Sequence, residues 1–370
     1  MHLSHRTTLV AALVAGLFTV SAAEAADFSM RGAFDVGLTY SHTKAGDTLR
    51  MDPGQYVGSE ITLMGEENLG AATVGFNLTL GYNTDDGTMD NTGDRLWNHE
   101  SQVYLKGDWG QLGAGRISSF ATGLGTQSWY VKYDAFEAGY VDAALQSTQH
   151  STWSRFSNSV YYTTPSFAGL RAGVFYSLTG ASEDKEKTHF QDNERYWNVA
   201  LNWGRADEKL SFFLSAEGVE RANGSTLKDG WIVKGAARWD LDFMKLMGGF
   251  SHSEHQDEYA FASWAANAIY QASGNLSGGI RGDAAYVGAQ FPVAESVQLN
   301  FQYQYLDGHN TDTDEDFKRH VVAAGLYKYF SQRTMLYTIA SWAKGSGALD
   351  EDIDPDSSAT TFQIGVTHFF

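Results

Sequence analysis

Clusters of charge, and no set of reacting groups, are what these 370 residues offer for chemistry. Between Ser119 and Ser154 stand Asp134, Glu137 and Asp142, with Lys132 among several tyrosines. Single cations recur in strand-like stretches elsewhere: Arg31, Lys106, Arg116, Arg171, Lys234 and Arg238. Carboxylates facing cations across a narrow aqueous passage create a transverse field, which orients dipolar solutes and penalises bulky apolar ones. Covalent chemistry has no comparable support. His150 lies near Ser147 and Ser151, but no G-x-S-x-G or H-E-x-x-H gives a serine its base or a metal its ligands. There is no phosphate-binding glycine loop, and a net charge of −18 argues against a nucleic-acid partner. DEDIDPD (Asp350 to Asp356) gathers carboxylates of the kind a hard cation takes; lacking the glycine and spacing of a calcium loop, it reads as a solvated loop. No enzyme activity, cofactor or resident metal is expected.

The elements that must hold these charges are strands. In VQLNFQYQY, Val297, Leu299, Phe301, Tyr303 and Tyr305 form one face and Gln298, Asn300, Gln302 and Gln304 the other. The same alternation runs through TVGFNLTLGY, LRAGVFYSL and FSMRGAFDVGLTY, whose second face is polar or glycine. Sixteen such segments can be counted, joined alternately by short turns (EENLG, GDWGQ, TPSFAG, GRADE, DLD, AES, SQR) and by longer polar loops such as TKAGDTLRMDPGQ. That rhythm predicts an all-β fold: a 16-stranded antiparallel transmembrane β-barrel with short periplasmic turns, long external loops and a wet interior. Closure is required because hydrocarbon leaves no partner for an open sheet edge. The last stretch, TTFQIGVTHFF, is therefore expected to pair with the first. Aromatic rings near segment ends, among them Tyr40, Trp109, Tyr161, Tyr162, Trp203, Trp239, Tyr337 and Trp342, read as interfacial girdles.

Export is written at the N-terminus. MHLSHRTTLVAALVAGLFTVSAAEA has Arg6 in a basic start, an apolar run from Leu9 to Val20, and the small-x-small site Ala23-Glu24-Ala25. The run falls short of the roughly 20 residues of a spanning helix. Residues 1–25 are expected to be a cleaved signal peptide and 26–370 the barrel. Absence of cysteine excludes a disulfide framework without fixing the compartment.

Several stretches in order along residues 26–370 resemble the Gram-negative general porins, the trimeric sixteen-stranded family of proteobacterial outer membranes. They are GSEITLMGEENLG, VYLKGDWGQLGAGR, YTTPSFAGL, YFSQRTMLY and GVTHFF. The resemblance implies a homotrimer in the outer membrane, in contact with lipid and lipopolysaccharide, passing ions and small hydrophilic solutes by diffusion. It implies a third external loop folded inward as a constriction, and a terminal Phe370 read by the barrel-assembly machinery. The chain departs from the family where Glu60 replaces a commonly inward Arg, where Gln332 replaces a Lys, and where Thr367 and Phe369 replace basic residues.

The pore constriction is accordingly expected to set Asp134, Glu137 and Asp142 of the loop against Arg31, Lys106, Arg116 and Arg171 on the wall, with Glu60, Lys234 and Arg238 lining the lumen. Arg116 is the leading candidate, since GAGR coincides with the family motif and strand parity is expected to point its arginine inward. Acidic loops (DDGTMD, SEDKE, TDTDED) raise the local cation concentration at a mouth, so weak cation selectivity is expected. The alternative is a substrate-selective porin for sugars or anions, in which Tyr130, Tyr133, Phe136 and Tyr140 would form part of an aromatic track. Acidic loops of this kind can also bridge lipopolysaccharide phosphates through divalent ions.

Overall fold

A strand with one apolar face and one polar face is stable in a membrane only where lipid meets the first, water the second, and neighbours pair every backbone group. The computed structural model, which describes residues 27–90, 95–123, 125–136, 148, 155–180, 189–205, 209–256, 279–352, 355 and 357–370, satisfies all three conditions. Its strands are β1 (Asp27–Thr43), β2 (Gly46–Pro53), β3 (Glu60–Asn68), β4 (Thr73–Gly81), β5 (Glu100–Gly107), β6 (Gly110–Ser118), β7 (Arg155–Thr163), β8 (Leu170–Ser177) and β9 (Arg195–Trp203). They continue as β10 (Leu210–Glu220), β11 (Gly230–Asp240), β12 (Lys245–Gln256), β13 (Ile280–Ala294), β14 (Val297–Asn310), β15 (Glu315–Tyr329), β16 (Thr334–Gly347) and β17 (Ala359–Phe369). Residues 1–25, the expected signal peptide, lie outside the described residues.

Each strand pairs antiparallel with its neighbours, and β17 returns to β1 from Ala33↔Phe369 to Thr43↔Ala359. Phe370 adds a reciprocal backbone pair with Gly32, at 3.0 Å in each direction. The result is a closed 16-stranded antiparallel barrel, because β2 and β3 share one position beside β1. The expected long loop TKAGDTLRMDPGQ is thus largely a hairpin: Thr43 pairs with Gly46, and β2 runs beside the half of β1 that also pairs with β17. Between β2 and β3, residues 54–59 leave the ladder and turn inward.

Asp35 holds that inward turn. Its buried carboxylate accepts from the Gln55 and Tyr56 amides (3.0 and 3.3 Å), from the Tyr337 hydroxyl (2.8 Å) and from the Thr367 hydroxyl. Four donors satisfy a charge that would otherwise be expensive to bury. The node joins β1, β16, β17 and the turn.

Lipid-facing Val103, Leu112, Val174, Leu214 and Val322 alternate with lumen-facing polar residues, as the period of two demands. Trp109 stacks on Tyr162 near one rim, and the Tyr162 hydroxyl donates to the Trp109 carbonyl at 2.6 Å, as expected of a girdle. Tyr161 and Tyr337 do not belong to it. Both point inward and are buried, Tyr161 donating to Gln102 and Tyr337 to Asp35, because their strand parity is opposite to that of the girdle rings.

Replacing Asp35 by Ala orphans two amides and two hydroxyls inside the wall. Asp35→Ala is expected to lower the unfolding free energy of the refolded barrel by about 3 kcal/mol, read from its urea midpoint, and Asp35→Asn by less.

Candidate functional site

The chain leaving β6 does not stay outside. From Ser119 onward it enters the lumen, held first by aromatic contacts. Phe120 and Trp129 lie with ring centroids 4.5 Å apart, and the Trp129 amide donates to the Phe120 carbonyl at 3.0 Å. Both rings rest on Gly173 of β8, where a Cβ would come within 2.6 Å of Phe120. Only glycine allows that approach. Next, Thr126 donates through its amide and hydroxyl to Glu100 at 3.0 and 2.6 Å.

A single 3-10 turn, Val131–Tyr133, then crosses toward the far wall. There the amide-bearing lumen face of β13 and β14 takes over. Gln290 and Asn300 donate to the Ala135 carbonyl at 3.0 and 2.5 Å, and Gln302 accepts from the Ala135 amide at 3.1 Å. Tyr286 donates to the Tyr133 carbonyl at 2.9 Å, and Thr148 donates to Gln304 at 2.6 Å. The glutamine and asparagine stripe of VQLNFQYQY, which alternation alone marked as wet, is the docking surface of the loop. A dense run of amides on a lumen face was the signal that could have identified it.

The base of the loop is locked by a buried ion pair. Lys234 of β11 lies 3.3 Å from Glu217 of β10, both side chains fully buried. Lys234 also donates to the Ala121 carbonyl at 3.0 Å and sits 4.8 Å from the Tyr130 ring centroid. Tyr196 donates to Glu217 at 2.5 Å, and its hydroxyl oxygen accepts from the Ser119 hydroxyl at 2.8 Å. Lys234, expected to line the lumen, is therefore removed from its water; the loop covers it.

The other expected residues divide into groups. Asp134 is nearly buried, its carboxylate accepting from the Phe136 amide (2.9 Å) and from Gln302 (3.1 Å), so it folds the loop tip against the wall. Glu137 and Asp142 lie outside the described residues, as does Tyr140. Arg31, Glu60 and loop residues Gly123, Gly125, Thr126 and Val131 line a shared space of about 280 Å³. Glu60 Oε2 lies 3.0 Å from His99 Nδ1, while His99 Nε2 lies 2.6 Å from Asp90. Lys106 pairs with Glu66 at 2.5 Å near the short-turn end, away from the loop.

Arg116 is a correction. Leu112, Ala114 and Arg116 share one face of β6, and Leu112 is 51% exposed on the lipid side, whereas Ile117 is buried within the lumen cluster. The ladder sets Arg116 opposite Ser101, and the guanidinium lies across the wall, donating to the carbonyls of Asn98 (2.8 Å) and Arg155 (3.2 Å) and to the Ser157 hydroxyl (3.0 Å). It clasps three strands and does not face the passage.

Arg171 and Arg238 do face inward, and the loop brings Lys132 to them. Lys132 donates to Asn202 at 3.0 Å; Asn202 is the ladder partner of Arg171 and donates to the Tyr133 hydroxyl at 3.1 Å. Arg171 lies 4.9 Å from the Trp129 ring centroid. Burial, with Arg238 and Arg171 nearby, holds the Lys132 ammonium below the ordinary lysine range. The Tyr133 phenol, buried beside it, is pushed up to about 12 and stays neutral. The expected aromatic track is absent from the described part of the loop, since Tyr130, Tyr133 and Phe136 are buried against the wall.

The profile of the Gram-negative porin family matches residues 8–348. The chain belongs to that family. Its porins are passive channels of the outer membrane and not enzymes. An outer membrane porin protein of Bordetella pertussis is 25% identical over 402 aligned positions, covering 99% of this chain and all of the relative. Among solved structures, an anion-selective porin from Comamonas acidovorans superposes with a TM-score of 0.71 at 21% identity, covering 93% of this chain and 100% of its own. OmpT of Vibrio cholerae, in a trimer form, superposes at 0.65 with 12% identity, covering 94% and 100%.

Removing the lysine of the buried pair should loosen the base of the loop in this porin. Lys234→Met is expected to cost about 3 kcal/mol and to give larger, noisier single-channel currents, while adding Glu217→Leu restores most of the stability.

Proposed function

We propose that this porin passes ions and small hydrophilic solutes by passive diffusion through a lumen constricted by its third external loop, and that the constriction favours anions modestly. The observation that carries the ion preference is an imbalance of free charge beside the loop. Glu217 is neutralised by Lys234, and Glu100 and Asp134 are buried against Thr126 and Gln302, withdrawn from the passage. Lys132, Arg171 and Arg238 have no carboxylate within ion-pair distance among the described residues.

A cation preference was expected from acidic loops and from Glu60. The loops act at the mouth, where salt screens charges beyond about 8 Å at physiological ionic strength. Charges in a narrow, low-dielectric passage are screened less, so the inner cluster decides. Glu60 lines the same space as Arg31, which offsets it. The fold is also that of a neighbour described as anion-selective, although a shared fold alone says nothing about charge. Burial of the loop aromatics disfavours a sugar channel. A homotrimer is proposed from the trimeric neighbour, and contacts with lipopolysaccharide and with the assembly machinery through Phe370 from membership of the family.

Reversal potential in a KCl gradient tests the preference: it should carry the sign for chloride, and the sign for potassium overturns it. Because the Lys132 pKa is depressed, its positive charge is lost at lower pH than that of a free lysine. The anion preference should hold at neutral pH and fall as pH rises through the alkaline range below the usual lysine value, whereas Lys132→Gln should lack that alkaline step.

A further inference from the structure

The three cations beneath the loop come from three separately anchored elements. Arg171 opens β8, Arg238 lies near the end of β11, and Lys132 descends from the loop, so they meet on the short-turn side of the constriction. Two of them are tethered through their side chains, and the third is placed by its strand. Lys132 is held by Asn202, Arg171 lies against Trp129, and Arg238 pairs across the ladder with Ser211, whose side chain bonds Tyr133.

Like charges are costly to hold together in a half-buried position, and that cost falls when a counter-ion sits between them. A chloride ion meets the charge but not the geometry, since guanidinium forks present paired N–H donors that suit planar or tetrahedral oxygens. Asn202 is already committed to Tyr133 and Lys132, which leaves the two arginines and the remaining ammonium protons as donors toward the passage. A compact oxyanion carrying two charges satisfies more of these donors than chloride does.

We propose that Lys132, Arg171 and Arg238 form a binding station for compact oxyanions of the phosphate type, at which such an ion pauses before leaving toward the periplasm. The proposal rests on the anion-favouring reading above. A station of this kind turns part of the flux from linear to saturable, because an occupied site holds up the ions behind it.

The test uses the refolded full-length barrel in a planar bilayer. Chloride current is measured while inorganic phosphate is added from the periplasmic-turn side at constant ionic strength, and reversal potential is measured on the same channels. Expected is a saturable fall of chloride conductance with phosphate. In Arg238→Gln and in Lys132→Gln the half-blocking concentration should rise about tenfold, the loss of one charge-assisted contact, while Lys132→Arg keeps the block. Lys44→Gln, on the external hairpin beside Asp352, serves as a charge-loss control and should block like the native protein. A chloride-type reversal potential with no phosphate block overturns the station and leaves the anion preference standing. A potassium-type reversal potential overturns both. Block that is unchanged in Arg238→Gln and Lys132→Gln also overturns the station, by placing the phosphate elsewhere. The native channel alone decides whether block exists, so the proposal stays exposed even where a variant fails to fold.

Discussion

Every feature of this porin follows from the need to pair backbone N–H and C=O groups where water is absent. An α-helix meets that need within one segment. A strand cannot, so each of the sixteen positions depends on two neighbours and the sheet has to end where it began. Phe370 and Gly32 complete the last pair at the rim of the seam. Because the requirement concerns backbone, side chains remain free to divide by parity into a lipid face and a wet face. The wet face is where function is placed.

Fold and alternation were legible in the sequence because both rest on a period of two. Six short turns lie where EENLG, GDWGQ, TPSFAG, DLD, AES and SQR place them, the strands on either side of GRADE end at Trp203 and begin at Leu210, and the pairing of the last strand with the first follows from closure alone. Parity also sorted Arg31, Lys106, Arg171, Lys234 and Arg238 correctly onto the lumen face. It could not say what covers that face. Lys234 alternates as a lumen residue and is buried, because a loop joined more than a hundred positions away lies over it. Arg116, expected inward on both parity and motif, shares the face of Leu112 instead, so its parity was misassigned. Tyr161 and Tyr337 were read as girdle rings for being aromatic near strand ends, although their parity points inward.

The loop inside the barrel is held by two kinds of interaction with different behaviour. Its tip is fixed by neutral amides of β13 and β14, whose hydrogen bonds each contribute modestly and depend little on salt or pH. Its base is fixed by Lys234 and Glu217, sealed from water, where loss of either partner leaves an unmatched charge. Neither device exposes a charge to the passage. In the function proposed above, the sign of the passage is set by Lys132 of the loop with Arg171 and Arg238 of the wall, and not by these anchors.

The inward turn between β2 and β3 has a consequence for the order in which the chain takes shape. Asp35 stands in the first strand of the barrel, and its Thr367 partner is separated from it by 332 residues, its Tyr337 partner by 302. Contacts of such separation carry the largest loop-closure entropy and come late. Until β16 and β17 arrive, the carboxylate has only local amides to accept from, and the first hairpin has no reason to keep its inward fold. The N-terminal end of the barrel is thus finished by the C-terminal end, so that a barrel truncated at its tail loses order at its beginning as well.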